Sequence, residues 1–215
     1  MLRHGQTPSN VRGLLDTGAP GPDLTALGQR QAEAVPHALQ DRELDAVVVS
    51  SLVRTSLTAA PLLRRRGMDS LTLPGLVEIE AGDLEMAGDE LSQQVYMDTA
   101  FAWSRGELHR RMPGGPDGRA FLTRFDQAIA EIAASGWREV VVVSHGAAIR
   151  AWSRSRISGG DVELLSQHHL ANTGAVEMEG DPASGWRLLD WIGDPIGGRH
   201  LASEIAEDPT GESVR

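Results

Sequence analysis

Two uninterrupted apolar runs dominate the pattern along the chain: Asp-Ala-Val-Val-Val-Ser at 45–50 and Glu-Val-Val-Val-Val-Ser at 139–144. Short β-branched runs without polar alternation suit central parallel strands buried on both faces. Helix-forming sequence follows each, over 52–66 and over 147–157. Thr25 is expected to cap a further helix running towards Gln40, which Pro36 should kink or shorten. Asp117 is expected to cap another over about 118–135, stopped by Gly136. Residues 175–179 and 186–191, joined by Gly-Asp-Pro-Ala-Ser-Gly, read as a late antiparallel hairpin.

Strands alternating with helices predict an α/β domain, three-layer α/β/α with a mostly parallel central sheet. Residues 87–115 do not alternate cleanly and carry Gly, Pro, Trp and Arg, so they read as a lid insertion over the sheet. One domain is expected over 1–202, followed by a polar tail at 203–215 that is solvated or frayed.

Composition narrows the chemistry. A 215-residue chain suits one large domain or two small ones, at roughly 100–200 residues each. There is no cysteine, which removes disulfides, zinc–thiolate sites and a thiol nucleophile. All 20 basic residues are arginine, so a Schiff-base lysine and a P-loop lysine are excluded. A net charge of −10 argues against nucleic-acid and membrane-surface partners. It leaves room for a small anionic substrate held by a local arginine cluster. No apolar run approaches the roughly 20 residues that span a bilayer. Met1 leads directly into Leu2-Arg3-His4 without a signal peptide, and a cytoplasmic protein is expected.

Ligands of such sheets bind beyond the carboxyl ends of the strands. Three reactive pieces are predicted there: Arg3-His4-Gly5 at the N-terminus, Arg54 after the first apolar strand, and His145-Gly146 after the second. Alone, the first reads as a surface histidine, Arg54 as a solvated helix arginine and His145 as a strand-end histidine. Together, two histidines and two arginines would form a dense positive pocket suited to a phosphate dianion. Helix N-termini near Ser51 and Gly146 would add N–H donors.

With these pieces in this order, the sequence resembles the histidine phosphatase superfamily in its phosphoglycerate-mutase-like branch. The resemblance rests on Leu2-Arg3-His4-Gly5-Gln6-Thr7 with Asn10, on Asp23-Leu24-Thr25-Ala26-Leu27-Gly28, and on Ser50-Ser51-Leu52-Val53-Arg54-Thr55. It continues through Leu76-Val77-Glu78, Gly82-Asp83-Leu84-Glu85, Pro113-Gly114-Gly115, Val143-Ser144-His145-Gly146 and Asn172-Thr173. It implies His4 as a nucleophile that becomes phosphohistidine, and Arg3, Arg54 and His145 as the clamp on the phosphoryl oxygens. Asn10 and the Gly146 amide are implied as further phosphate donors. Glu78 is implied as the general acid that later activates water, with Glu80 and Glu85 as minor contenders. The family's first strand extends several residues ahead of Arg-His-Gly. Only Met1 and Leu2 precede it here, so that strand is expected to be missing, or the natural start to lie upstream.

The implied activity is hydrolysis of phosphate monoesters of small metabolites, without cofactor or metal and with a homodimer allowed. A cofactor-dependent mutase is the alternative, disfavoured because only 59 residues separate Glu85 from His145. A non-catalytic phosphate-binding module ranks last, since nucleophile and clamp are all present. His168-His169 reads as a surface or capping pair. Arg105, His109, Arg110 and Arg111 are divided evenly between a solvated face and contact with a second anionic group.

Overall fold

The computed structural model describes residues 1–158, 169–203 and 210–211. These contain one seven-stranded sheet. Its strands are β1 Leu2–Arg3, β2 Ala46–Val49, β3 Ser70–Thr72, β4 Val140–Ser144, β5 Ile157–Ser158, β6 Ala175–Asp181 and β7 Gly185–Ile192. The spatial order is β3-β2-β4-β1-β6-β7-β5. The first four of these run parallel, and β6 and β7 add an antiparallel hairpin beside β1. The helices are α1 Pro8–Val11, α2 Ala26–Ala38, α3 Val53–Arg66, α4 Glu90–Ser104, α5 Gly118–Ala134 and α6 Gly146–Arg156.

The valine runs explain the layers. Side chains alternate across a strand, so Val48 and Val142 point into a core shared with α4, α5 and α6. Val47, Val49 and Val143 point the other way, against Val35 of α2 and Ala59 and Leu62 of α3. Both faces of β2 and β4 are therefore covered, and no polar position interrupts either run. The fold is three-layer α/β/α, as the pattern predicts. Helix α2 passes through buried Pro36 and ends at Ala38, short of Gln40. No described helix is long and apolar enough to cross a membrane.

Two expectations need correction. The first strand is present, although short. Leu2 pairs with Val143 on one side and Ala175 on the other. The Met1 carbonyl accepts from the Val176 amide at 2.8 Å, and the Met1 amino group donates to the Val176 carbonyl at 2.6 Å. Two residues suffice because β1 lies between strands that hold it from both edges.

The second correction concerns 87–115. Helix α4 lies within this stretch and buries Tyr96, Met97, Ala100, Phe101 and Trp103 in the main core. Its buried residues also include Thr99 and Ala102, so they encircle the axis instead of forming a stripe. An amphipathic pattern is what a one-sided helix shows. The helix is part of the helical layer, while Arg105–Gly115 is exposed or half-buried apart from core residue Met112 and keeps the character of a cover.

Candidate active site

The loop after β1 carries His4 and is fixed from both sides. The His4 amide donates to Ser144 O at 3.0 Å, while the Asn172 side chain donates to His4 O at 3.0 Å. Beyond it, Thr58 Oγ1 accepts the Gly5 amide at 2.9 Å and Gln31 Oε1 accepts the Gln6 amide at 2.8 Å. Space is tight here: a Cβ on Gly28 would lie 2.1 Å from Gln6 O, so only glycine lets α2 approach the loop. Thr173 sits at φ +58°, a left-handed conformation that costs a β-branched residue about 1–3 kcal/mol. The neighbouring Asn172 is thereby held on the His4 carbonyl.

The hydrogen bonds assign the imidazole tautomers. His4 Nδ1 lies 2.8 Å from the Gly5 carbonyl oxygen. A carbonyl only accepts, so Nδ1 carries the proton and Nε2 carries the lone pair. At His145, Nδ1 accepts from Arg54 Nε at 3.3 Å, so its proton is on Nε2, which donates to Ser50 Oγ at 2.8 Å. The two rings lie 5.2 Å apart between centroids. Burial pushes the pKa of each well below the ordinary histidine value, and the cations Arg54 and Arg3 push the same way. The pocket is therefore less positive than two histidines and two arginines suggested. The arginines carry the charge, and burial favours an uncharged His4 with its lone pair on Nε2.

An ordinary imidazole is half protonated near pH 6.5. Burial disfavours the charged form, so the imidazole proton signals of His4 and His145 are expected to keep neutral values at pH 6. A nuclear magnetic resonance titration checks this, and a midpoint at or above pH 6.5 for His4 would contradict the burial reading.

The residues expected to clamp phosphate come from α3, β1 and the start of α6. Arg54 is buried, donates through Nη2 to Asp16 O at 3.1 Å, and leaves Nη1 without a hydrogen-bond partner among the described residues. A buried guanidinium N–H without a partner is costly unless a ligand completes it. Arg3, also buried, donates to Leu170 O at 2.7 Å and to Thr210 Oγ1 at 2.9 Å. Asn10 commits its carboxamide oxygen to the α1 cap, at 2.9 Å from the Thr7 amide, so Nδ2 is its remaining donor. The Ser51 region adds less than expected, because α3 begins at Val53 and the Leu52 amide bonds to Ser50 Oγ.

Glu78 is buried at the start of α6. Its Oε1 accepts from the Ile79 and Ala148 amides, each at 2.8 Å, and Oε2 accepts from Ala147 at 3.1 Å. Burial raises its pKa above the usual carboxyl value, and these three amides and Arg54 oppose the rise. Two of the α6 N-terminal amides are thus spent on Glu78. Gly146 is the first residue of α6, and a Cβ there would meet Thr210 O at 2.7 Å and Arg3 Nε at 3.0 Å. The contenders separate cleanly. Glu85 accepts from the Thr17 amide at 2.8 Å and the Gly18 amide at 3.0 Å, so it fastens a loop. Glu80 contributes to the electrostatic surroundings of Arg124.

The expectation of a solvated tail at 203–215 falls largely outside the described residues, and it fails at Thr210 and Gly211. Both are buried. Thr210 O accepts from Arg150 Nη1 at 3.1 Å, and Gly211 O accepts from the Leu170 amide at 2.8 Å. Buried arginines supply donors that this polar segment can satisfy, which composition alone does not reveal.

Arg105 lies 3.6 Å from Glu107 within the same stretch, and Arg111 3.6 Å from Asp117, the residue that caps α5. His168 is outside the described residues, while His169 is exposed and 3.3 Å from Asp194. Sequence reading gave no site role to Ser50, Tyr96, Arg124 or Thr210. Ser50 had a local signal, a hydroxyl closing a buried strand; the others act through contacts distant in sequence.

Comparisons with known proteins agree with this geometry. The family model for the histidine phosphatase superfamily (branch 1) matches residues 1–193. The PE-PGRS family protein PE_PGRS11 of Mycobacterium tuberculosis is 37% identical over 96% of this chain, which spans only 38% of that protein. Adenosylcobalamin/alpha-ribazole phosphatase of Escherichia coli is 32% identical over 67% of this chain and 71% of its own length. Among solved structures, a mycobacterial glucosyl-3-phosphoglycerate phosphatase in complex with VO3 superposes with a TM-score of 0.72 at 28% identity, covering 89% of this chain and 96% of that one. A histidine with a free Nε2, two buried arginines and a second histidine at the carboxyl ends of β1, β2 and β4 thus coincide with a match along most of the sequence: the chain belongs to branch 1 of the histidine phosphatase superfamily.

Proposed function

We propose that the chain is a phosphatase that hydrolyses phosphate monoesters of small metabolites through a phosphohistidine on His4. The observation that carries this reading is a His4 with its lone pair on Nε2, its ring 5.2 Å from that of His145, which binds buried Arg54, whose Nη1 is uncompensated among the described residues. A phosphoryl group brings an electrophilic phosphorus to Nε2 and an anionic oxygen to Nη1.

In the first step Nε2 forms a bond to phosphorus as the bond to the leaving oxygen breaks. Arg3, Arg54, Asn10 and the Gly146 amide hold the non-bridging oxygens, while His145, whose N–H is engaged by Ser50, fixes Arg54 through Nδ1; such donors act most strongly as charge develops. Glu78 gives its proton to the leaving oxygen. Its Oε2 is the less engaged oxygen, with one amide at 3.1 Å against two at 2.8 Å on Oε1, so Oε2 bears that proton. In the second step water loses a proton to Glu78 and attacks phosphorus, and the N–P bond breaks to release phosphate.

Water is favoured over a second phosphorylated acceptor, because α4 and α5 occupy most of the stretch between Glu85 and His145 and bury their apolar residues in the core. The relatives named above as phosphatases support the same reading. The test is a panel of sugar, nucleoside and amino-acid phosphates together with p-nitrophenyl phosphate. Phosphate release is expected to survive a chelator and to be inhibited competitively by vanadate, which resembles the transferring group. Activity lost to the chelator and restored by a divalent ion would overturn the mechanism.

A further inference from the structure

We propose that Arg124 is a positioning residue for proton transfer by Glu78. The inference rests on the phosphatase reading above and deepens it. Arg124 Nη1 donates to Gly75 O at 2.8 Å and Val77 O at 2.9 Å, and Nη2 donates to Glu78 O at 3.0 Å. One guanidinium on α5 therefore ties down three carbonyls of the four residues ending in the proton donor. Its carbon lies 5.4 Å from the centroid of the Phe121 ring, one helical turn earlier. The fork is held between an aromatic face and the loop.

The next carbonyl is taken as well. Tyr96 of α4, fully buried, donates its hydroxyl to Ile79 O at 2.8 Å. Two helices of the same layer thus fix the backbone on either side of Glu78, while the carboxylate reaches to the α6 N-terminus. The segment also lies close against α5: a Cβ on Gly75 would come within 2.8 Å of Arg124 O and of Ala128 Cβ.

This rigidity has a chemical use. Glu78 has three amide donors on its carboxylate, and it must keep one oxygen directed at the leaving group. A loop free to follow those amides would carry the proton away from the scissile bond. Holding the main chain from behind stops that drift, and a displacement of ~1 Å can cost about 10²-fold in rate. Arg124 touches neither His4 nor the phosphate clamp in any described hydrogen bond, so its loss should spare nucleophilic attack.

The experiment is single-turnover phosphoenzyme formation by the full chain, with an alkyl phosphate and with p-nitrophenyl phosphate. Arg124→Met keeps a stem over Phe121 and removes every donor. It is expected to slow transfer from the alkyl phosphate by about 10–100-fold and from p-nitrophenyl phosphate by less than about threefold, the pattern of a misplaced acid. Arg124→Lys, which keeps the charge and some donors, should recover part of the loss; it also serves should Arg124→Met fail to fold. In a Glu78→Gln background Arg124→Met should not widen the gap between the substrates further.

Equal losses on both substrates, or the same selective loss without the Glu78 carboxyl, would overturn the positioning role. A wild-type protein that forms no phosphoenzyme would instead overturn the phosphatase reading and this inference with it. A working wild type, a leaving-group-sensitive Glu78→Gln and an indiscriminate Arg124→Met would overturn this inference alone.

Discussion

His4→Ala is expected to abolish phosphoenzyme formation and to lower turnover by roughly 10⁴–10⁶-fold, the scale on which nucleophile removal acts in other covalent enzymes. Nothing nearby can substitute. His145 commits Nε2 to Ser50 and Nδ1 to Arg54, so its two nitrogens are already engaged, whereas His4 spends only Nδ1. His145→Ala should cost less, because it loosens Arg54, which it holds through Nδ1, and one clamp donor to developing charge is worth about 10²–10³-fold. Acid-labile, base-stable label from radioactive substrate, quantified after quenching in both variants, is the measurement. Normal stoichiometry of trapped label in His4→Ala would refute the assignment.

Glu78→Gln should produce the second large effect, and a selective one. The amide matches the carboxyl in size but has no proton to give at neutral pH. An alkoxide leaves poorly without that proton, while p-nitrophenolate leaves readily. Transfer from alkyl phosphates should therefore fall by about 10²–10⁴-fold, the range of general acid catalysis, with a much smaller loss on p-nitrophenyl phosphate. Single-turnover measurement isolates this step from the later attack by water. Equal losses on the two substrates would make Glu78 a binding group only. The raised pKa adds a consistent detail: burial keeps more of the acid form at a given pH than a solvated glutamate would retain.

Much of the frame was legible because local pattern and tertiary environment agree. The two valine runs became β2 and β4, and Thr25 and Asp117 cap the helices they were expected to cap. Illegible parts have physical reasons. Helix α4 is buried round most of its circumference and offers no stripe. Strands β1 and β5 have two residues each, too few for any period to register. Thr210 meets Arg3 across most of the chain's length, and Arg124 meets Glu78 from another element. Spacing along a sequence carries no trace of such encounters. Motif order brought His4, Arg54, Glu78 and His145 into view together, but the tautomers and the neutral state of the histidines follow from burial and hydrogen bonding alone.

The position of β1 also governs how the molecule is assembled. Leu2–Arg3 is the earliest strand in the chain, yet it lies between β4 and β6, whose pairing residues are Val143, Ser144 and Ala175. Non-local pairing of this kind slows folding, since a long loop must close before the contact is gained. During synthesis the arginine–histidine pair emerges long before β4 and β6 and waits for both before the edges of its strand are satisfied. A nascent chain that ends before Asn172 would already contain His4, Arg54, Glu78 and His145, but the loop bearing His4 would still lack Asn172 and the second edge that holds it.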